Sequence, residues 1–472
     1  MEAVREKLQG AELSEAATKA FLHNYGKLEG GESGLIPEHD IEAVSTLPSL
    51  AELVEQRQSD DGGDGVGDGD GSATTTRELL SKTIVLKLNG GLGTSMGLEK
   101  AKSLLKVKGG RTFLDLIADQ ISSLSSGVRF VLMNSFSTHE DTIEALRQSR
   151  PEIANQEDLV LIQSKSPKID ATTMEPVSHP KNPDLEWCPP GHGDIYPSLL
   201  GTGMLDRLLD KGFKYAFVSN SDNLGAVLST DLLGHFASSG SAFMMEVAER
   251  TEADKKGGHL CRRKEDNQLI LRESAMCPEE DKSKFQDVST HRYFNTNNLW
   301  LDLAQLKHKM DECGGMLPLP LIKNKKTVDP RDSSSTPVYQ LETAMGSAIE
   351  CFPNAAAVVV PRSRFSPVKT CSDLFALRSD AYNLTADFRV ELAGAAVPVV
   401  KLDDAHYKHV DKMERLCPGG SPSLIECKRL TVRGPVIFAG STAIKGECEI
   451  VNDTGEPEEL PPGTYEDQTV EL

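Results

Sequence analysis

Apolar residues along this chain follow two rhythms. Near the start, Val4, Leu8, Leu13, Ala17, Phe21 and Tyr25 recur at roughly the spacing of one helical face. That spacing predicts one or two amphipathic helices over residues 1 to about 56. From Ile84 onward the rhythm changes to short apolar runs: Ile84–Leu88 (broken only by Lys87), Phe130–Met133, Leu159–Ile162, Tyr215–Val218, Ala242–Val247, Leu299–Leu301 and Ala356–Val360. These read as strands. Helical stretches lie between several of them. In one, Thr112 caps a helix with Asp115 three residues on, and Phe113, Leu116, Ile117, Ile121 and Leu124 share a face. Alternating strands and helices predict an α/β fold with a mainly parallel sheet. Ligands in such sheets gather beyond the carboxyl ends of the strands.

Two other textures complete the pattern. Asp60–Ser72, DDGGDGVGDGDGS, has almost no apolar side chains, and cannot bury enough surface to offset its ordering entropy. It reads as a disordered tether, and without a closing Glu it is a poor calcium loop. After about Asn383 the short β-rich units LTVRGPVIFAG, TAIKG and ECEIVND are separated by glycines, which predicts a β-solenoid (β-helix). The expected organisation is therefore a helical N-terminal region with tether over 1–78 (the tether at about 58–75), an α/β domain over 79–383 and a β-helix over 384–472. A length of 472 residues suits two or three domains.

Charge narrows the ligand. The net charge is −20, from 51 basic and 71 acidic side chains. A nucleic-acid partner is not expected, whereas a small anion can be held by a few lysines and a metal focused in one cleft. Nine scattered cysteines without a C-x-x-C pair argue against a disulfide framework or zinc site and for a reducing, cytoplasmic setting. No run approaches the ~18 apolar residues of a membrane span. The acidic N-terminus lacks the apolar stretch of a secretory signal.

Four segments carry chemistry. The first, IVLKLNGGLGTSMGLEKAKS (Ile84 to Ser103), is a strand opening into a turn with Gly90, Gly91, Gly93 and Gly97, followed by Lys100 and Lys102. Glycines let backbone N–H groups wrap an anion, and the lysines add charge suited to a nucleoside triphosphate. A dinucleotide-binding dehydrogenase would need a carboxylate ending the second strand, but that strand ends Met133-Asn134-Ser135. A P-loop would need Gly-Lys-Ser/Thr where this chain has Gly97-Leu98-Glu99. The second segment, FVSNSDNLG, delivers Asp222 from a strand. Asp222 suits magnesium, which takes one or two carboxylates and leaves its other positions to phosphate and water; an ordinary Asx turn is the competing reading. In the third, CPPGHGDIY, Gly191 and Gly193 flank His192, and the imidazole can bond a sugar hydroxyl or a phosphate. The fourth, VPRSRFSPVKT, groups Arg362, Arg364 and Lys369: either a solvated basic loop or, facing a cleft, a source of charge for phosphate.

Taken in order, LNGGLGTSMG, Lys102 and TFLDLI, QSKSPKI, GHGDIY, NSDNLG, FNTNNLW, QLETAMGSAI and PRSRFSPVK closely resemble the UTP–glucose-1-phosphate uridylyltransferase (UDP-glucose pyrophosphorylase) family. The resemblance runs from about Ile84 to Val451 and does not include the tether. It implies a Rossmann-like nucleotidyltransferase sheet. It also implies magnesium-dependent, reversible transfer of UMP from UTP to glucose 1-phosphate, giving UDP-glucose and pyrophosphate. Leu88, Asn89, Gly90 and Gly91 would lie along the nucleotide, with Gly90 and Gly91 also near the sugar phosphate. Lys102 would contact phosphates; where many members carry Gly-Pro before this lysine, this chain has Lys100-Ala101, and Lys102 is the better match of the two lysines. Gln163 would read uracil, with Gly191 lining its pocket. His192 would face the sugar phosphate, and Asn220, Ser221 and Asp222 would contact ligand, with Asp222 holding Mg2+. Asn297 or Asn298, together with Glu342, would meet glucose. Lys369 and Lys102 would be the catalytic cations, Lys369 with the greater weight. The resemblance permits self-association through the C-terminal region. The rival readings are the same chemistry on N-acetylhexosamine or galactose 1-phosphate, and a non-catalytic nucleotide-sugar-binding protein.

Overall fold

The computed structural model describes residues 1–61, 75–124 and 127–472. At its centre is a ten-stranded mixed sheet: β1 (Ile41–Ala43), β2 (Thr83–Asn89), β3 (Arg129–Asn134), β4 (Val160–Ile162), β5 (Tyr215–Asn220), β6 (Phe243–Glu249), β7 (His259–Arg263), β8 (Leu269–Arg272), β9 (Tyr293–Asp302) and β10 (Ala356–Val359). The expected strands are all present. Strands β5, β2, β3 and β4 run parallel in that spatial order. Strand β9 is antiparallel to both β5 and β6, and β6 pairs in parallel with β10. The mainly parallel expectation thus holds for the sheet's centre, while β9, and β1 and β8 on the flank, run the opposite way. Apolar runs encode burial but not direction.

Strand β2 is buried on both faces, as parallel strands under helices are. Ile84 and Leu86 share a core with Val131, Met133, Ala216 and Val218, covered by helices Ile195–Gly201 and Met204–Asp210. On the opposite face, Val85 joins Phe217 and Trp300 beneath Leu232, Leu233 and Phe236 of helix Thr230–Ser239. Helix Phe113–Ser123 begins with the expected reciprocal cap between Thr112 and Asp115.

The N-terminal region mixes helix and strand. Helices Glu2–Gln9, Glu15–Glu29 and Leu50–Asp61 flank an extended stretch whose β1 pairs with β7. The region is therefore not simply helical. The last helix takes in the first residues of the expected tether; residues 62–74 lie outside the described part of the chain. Toward the C-terminus, Val399–Lys401, Ser423–Arg433, Thr442–Val451, Gly463–Glu466 and Thr469–Glu471 form a parallel sheet. TAIKG and ECEIV are one strand rather than two units. It carries a left-handed residue at Gly446, where a Cβ would lie 1.9 Å from Asp467 Oδ1. One core links Phe113 and Phe130 to Phe375, Phe438 and Ile450.

Candidate functional site

Four parallel strands deliver the site from their carboxyl ends. After β2 the chain enters the glycine turn, after β3 comes Ser135, after β4 Gln163, and after β5 Ser221 and Asp222. A cleft above them is lined by Leu88, Gly90, Gly91, Lys102, Gln163, Gly191, His192, Asn220, Ser221 and Asp222, together with Met133 and Pro189. Most of the sequence-derived candidates therefore meet in one place. A Cβ at Gly91 would meet nothing within 4 Å, so that backbone is open to a ligand. Gly93 and Gly97 are left-handed, with φ 69° and 76°. The turn closes through Lys102 N–H donating to Gly91 O at 3.0 Å. Lys100 is exposed and lines a separate cleft with Glu99, leaving Lys102 as the lysine directed inward.

Lys102 Nζ donates to Asp222 Oδ2 at 2.8 Å, and both side chains are largely buried. Asp222 Oδ1 is buried with no protein partner. A hard cation needs such an uncommitted carboxylate oxygen, so Asp222 fits a magnesium ligand. Among the described residues no group of three or more His, Cys, Asp or Glu side chains could hold a metal.

His192 Nδ1 accepts Met345 N–H at 2.9 Å, which leaves the ring proton on Nε2. Burial pushes its pKa down to about 4, so the imidazole is neutral at pH 7. The flanking glycines answer to packing: a Cβ at Gly191 (φ 80°) would lie 2.5 Å from Thr343 O, and one at Gly193 would lie 2.3 Å from Thr343 Oγ1. Gln163 Nε2 donates to Gly191 O at 3.1 Å.

Five candidates lie outside the cleft lining. Asn89 is buried, its amide donating to Asn134 Oδ1 and Thr142 Oγ1 and its carbonyl accepting from Thr138. Glu342 stands beside Gly191, its carboxyl raised by burial. Asn298 is fully buried and donates to Glu246 and to Arg364 O, whereas Asn297 is partly exposed in a left-handed bulge at φ 58°. Lys369 opens on a neighbouring, larger cleft with Phe294, Phe365 and Asp254. It is joined to the first by Val368 N–H donating to Asp222 O at 3.1 Å. The other two basic residues of its loop are committed to ion pairs: Arg362 with Asp254, and Arg364 bidentate with Glu246 at 2.7 Å for both bonds.

Sequence reasoning missed Glu246, Glu273 and Asp194. Glu246 is fully buried and also accepts from Trp300 Nε1 and Asn298. Glu273, raised by burial, bonds Asn295 and faces Lys369. A lone acid inside the apolar run AFMMEVA was the available signal for Glu246. Asp194 lies inside the GHGDIY segment, where His192 is the more conspicuous group, and Glu273 carried no comparable mark.

A glycine turn and a lysine–aspartate pair above parallel strands define a nucleotide-binding α/β enzyme of the nucleotidyltransferase class. The family model for UTP–glucose-1-phosphate uridylyltransferase matches residues 57–445, and the chain belongs to that family. It is 42% identical over 387 residues to the UTP–glucose-1-phosphate uridylyltransferase of Encephalitozoon cuniculi, covering 80% of this chain and 75% of the relative. To that of Solanum tuberosum it is 38% identical over 466 residues, covering 96% and 92%. A mutant UDP-glucose pyrophosphorylase from Leishmania major, solved in complex with UDP-glucose, superposes with a TM-score of 0.90 at 44% identity, covering 100% of this chain and 99% of that one.

Replacing Glu246 by Ala leaves Arg364 and Trp300 Nε1 buried without their partner. The expected loss is about 3–5 kcal/mol in denaturant unfolding; a loss below about 1 kcal/mol would contradict the network's role. NMR titration of His192 should give a midpoint near 4. Because this lies below the ordinary value of about 6.5, the unfolded chain binds more protons between the two. The His192 contribution should therefore destabilise the fold as pH falls from 6.5 toward 4. A midpoint near 6.5 would refute the neutral assignment.

Proposed function

We propose that the chain transfers UMP from UTP to glucose 1-phosphate, producing UDP-glucose and pyrophosphate reversibly, with Mg2+ bound at Asp222. The observation that carries this reading is the Lys102–Asp222 pair beside the glycine turn, in the cleft that Gln163 and His192 also line. Leu88, Gly90 and Gly91 line the nucleotide, and Gln163 reads the base. His192, Asn220 and Ser221 face the sugar phosphate. Asn297 or Asn298, with Glu342, serves the glucose side: the Asn298 Nδ2 is committed to Glu246 and Arg364 O, but its buried Oδ1 has no protein partner.

A phosphate oxygen of glucose 1-phosphate attacks the α-phosphorus of UTP, forming the new P–O bond as the bond to pyrophosphate breaks in line. The nucleophile is already anionic near neutral pH, so no general base is required. The obstacle is repulsion between two polyanions, and Lys102 and Lys369 offset it while fixing their alignment. Bound Mg2+ would add charge neutralisation on phosphate oxygens. Neutral His192 contributes an N–H donor without a charge that changes near pH 7.

We further propose the domain divisions 1–78, 79–383 and 384–472, the last as a β-helix; the stacked parallel strands after Val399 support that description. Self-association through this region is supported by the edge strand Val399–Lys401, beside which Val397 and Val399 are exposed. Nine free cysteines support a cytoplasmic setting. No helix among the described residues is long and apolar enough to cross a membrane.

The test is pyrophosphate release from UTP with a panel of hexose 1-phosphates, with and without magnesium. Glucose 1-phosphate should be the best acceptor, and activity should require the metal. Faster turnover of an N-acetylhexosamine or galactose 1-phosphate would replace the sugar assignment. Lys102→Ala and Lys369→Ala should each lower kcat about 10²-fold or more, Lys369→Ala with an unchanged unfolding midpoint. Near-normal turnover at saturating substrates in both variants would remove them from catalysis.

A further inference from the structure

The corner that holds Gln163 carries a carboxylate that leaves the backbone N–H groups of its own helix uncapped. Asp194 stands at the N-cap of helix Ile195–Gly201, where an acidic side chain commonly accepts the helix's open N–H groups, yet it makes no such bond. Its Oδ2 instead accepts the backbone N–H of Ser164 at 2.7 Å, thirty residues earlier in the chain, and Ser198 Oγ–H at 2.7 Å. Asp194 is 4% exposed and has no ion-pair partner among the described residues; burial pushes its pKa up to about 6. An unpaired buried carboxylate costs stability, so its bonds invite a functional account.

The geometry supplies one. Ser164 follows Gln163 directly, and Asp194 belongs to the same turn as Gly191. That turn receives Gln163 Nε2 at Gly191 O, 3.1 Å away. The chain end of β4 and the 190–194 turn are thus tied at two points, one through the Gln163 amide itself and one through the next residue's backbone. A backbone carbonyl can only accept, so the amide nitrogen faces Gly191 and the oxygen is left as the end available to a ligand. That oxygen lies on the Gly90 side, where a Cβ would come within 2.8 Å of it. An amide locked with its oxygen outward favours a pyrimidine bearing a ring N–H, as uracil does, over cytosine, whose corresponding nitrogen is an acceptor.

We infer that Asp194 is a positioning residue for base selection: by holding Ser164 it fixes the Gln163 amide in the orientation that prefers uridine to cytidine nucleotides. The inference rests on the reading of Gln163 as the base contact. The test measures kcat and KM for UTP and for CTP, with glucose 1-phosphate saturating, in Gln163→Ala, Asp194→Ala, Asp194→Asn and Ser198→Ala. Asp194→Ala should raise KM for UTP by about 5- to 10-fold, the scale of one lost hydrogen bond. It should lower the UTP-over-CTP preference by a similar factor, and leave KM for glucose 1-phosphate unchanged. Asp194→Asn keeps an oxygen for Ser164 N–H and should restore most of the preference. If Gln163→Ala keeps the preference intact, the base-contact reading itself fails. If Gln163→Ala loses it while Asp194→Ala keeps it, or if Asp194→Ala weakens UTP and CTP equally, the positioning role is overturned. Should Asp194→Ala not fold, Ser198→Ala decides. It frees the carboxylate on one side and should raise KM for UTP about 2- to 3-fold with a matching loss of preference; unchanged values overturn the inference.

Discussion

The site depends on one buried ion pair. Glu246 lies in the middle of a sheet strand with no solvent contact, and Arg364 closes on it with two parallel bonds. Trp300 and Asn298 add further donors to the same carboxylate. Removing two charges from water is costly, and such a pair seldom adds much net stability. Its effect here is geometric. The Arg364 carbonyl receives Asn223 and Asn298, and Asn223 Oδ1 in turn accepts from Ser366 and Gly225. The loop bearing Asp222 and the loop bearing Lys369 are thereby stitched into one body, with Val368 N–H on Asp222 O as the last stitch.

That arrangement explains how a chain of net charge −20 can attract polyanions. What matters is which cations remain uncommitted. Arg362 and Arg364 are consumed by Asp254 and Glu246, so they contribute little field outside their pairs. Lys369 forms no ion pair among the described residues and opens on a cleft. Lys102 is paired only with Asp222, whose second oxygen has no protein partner. The positive ends are therefore few and local, in walls of low dielectric where each counts for more than in water.

Much of this could be read from the sequence because it sits where strands end. Gln163, Asp222 and the glycine turn each follow an apolar run, and the rule that ligands gather beyond carboxyl ends selects those positions. What the sequence could not supply is a residue's partners where they are distant in the chain. Asn89 has the local context of a ligand contact, yet its side chain is bonded inward to Asn134 and Thr142. Gly191 lines the cleft, yet it and Gly193 are also crowded by Thr343, some 150 residues later. The strand Thr442–Val451 looked like two units because a glycine marks both a turn and a kink within a strand. Strand direction was likewise invisible, since β9 has the same apolar texture as its parallel neighbours.

Lys87 draws these threads together. The sequence shows it as a blemish in an apolar run; the fold places it beneath the Asp222 loop, 2% exposed. Its ammonium donates to Ser219 Oγ and to Ala226 O, at 2.7 Å each, so it holds both ends of the 219–226 segment. Burial, with Arg364 nearby, pushes its pKa down to about 7, against the opposing pull of Glu246. A leucine there would pack as well against Phe217 but would leave the Ala226 carbonyl buried and unsatisfied, at a cost of about 1–3 kcal/mol. The same logic runs through Glu246 and Asp194. Each is a polar group retained in a dry interior because it satisfies the backbone or side-chain donors and acceptors that a sharply turning loop exposes. Loops that must present Asp222, Gln163 and Lys369 at fixed positions cannot use sheet hydrogen bonds to do so, and buried side chains supply the bonds in their place.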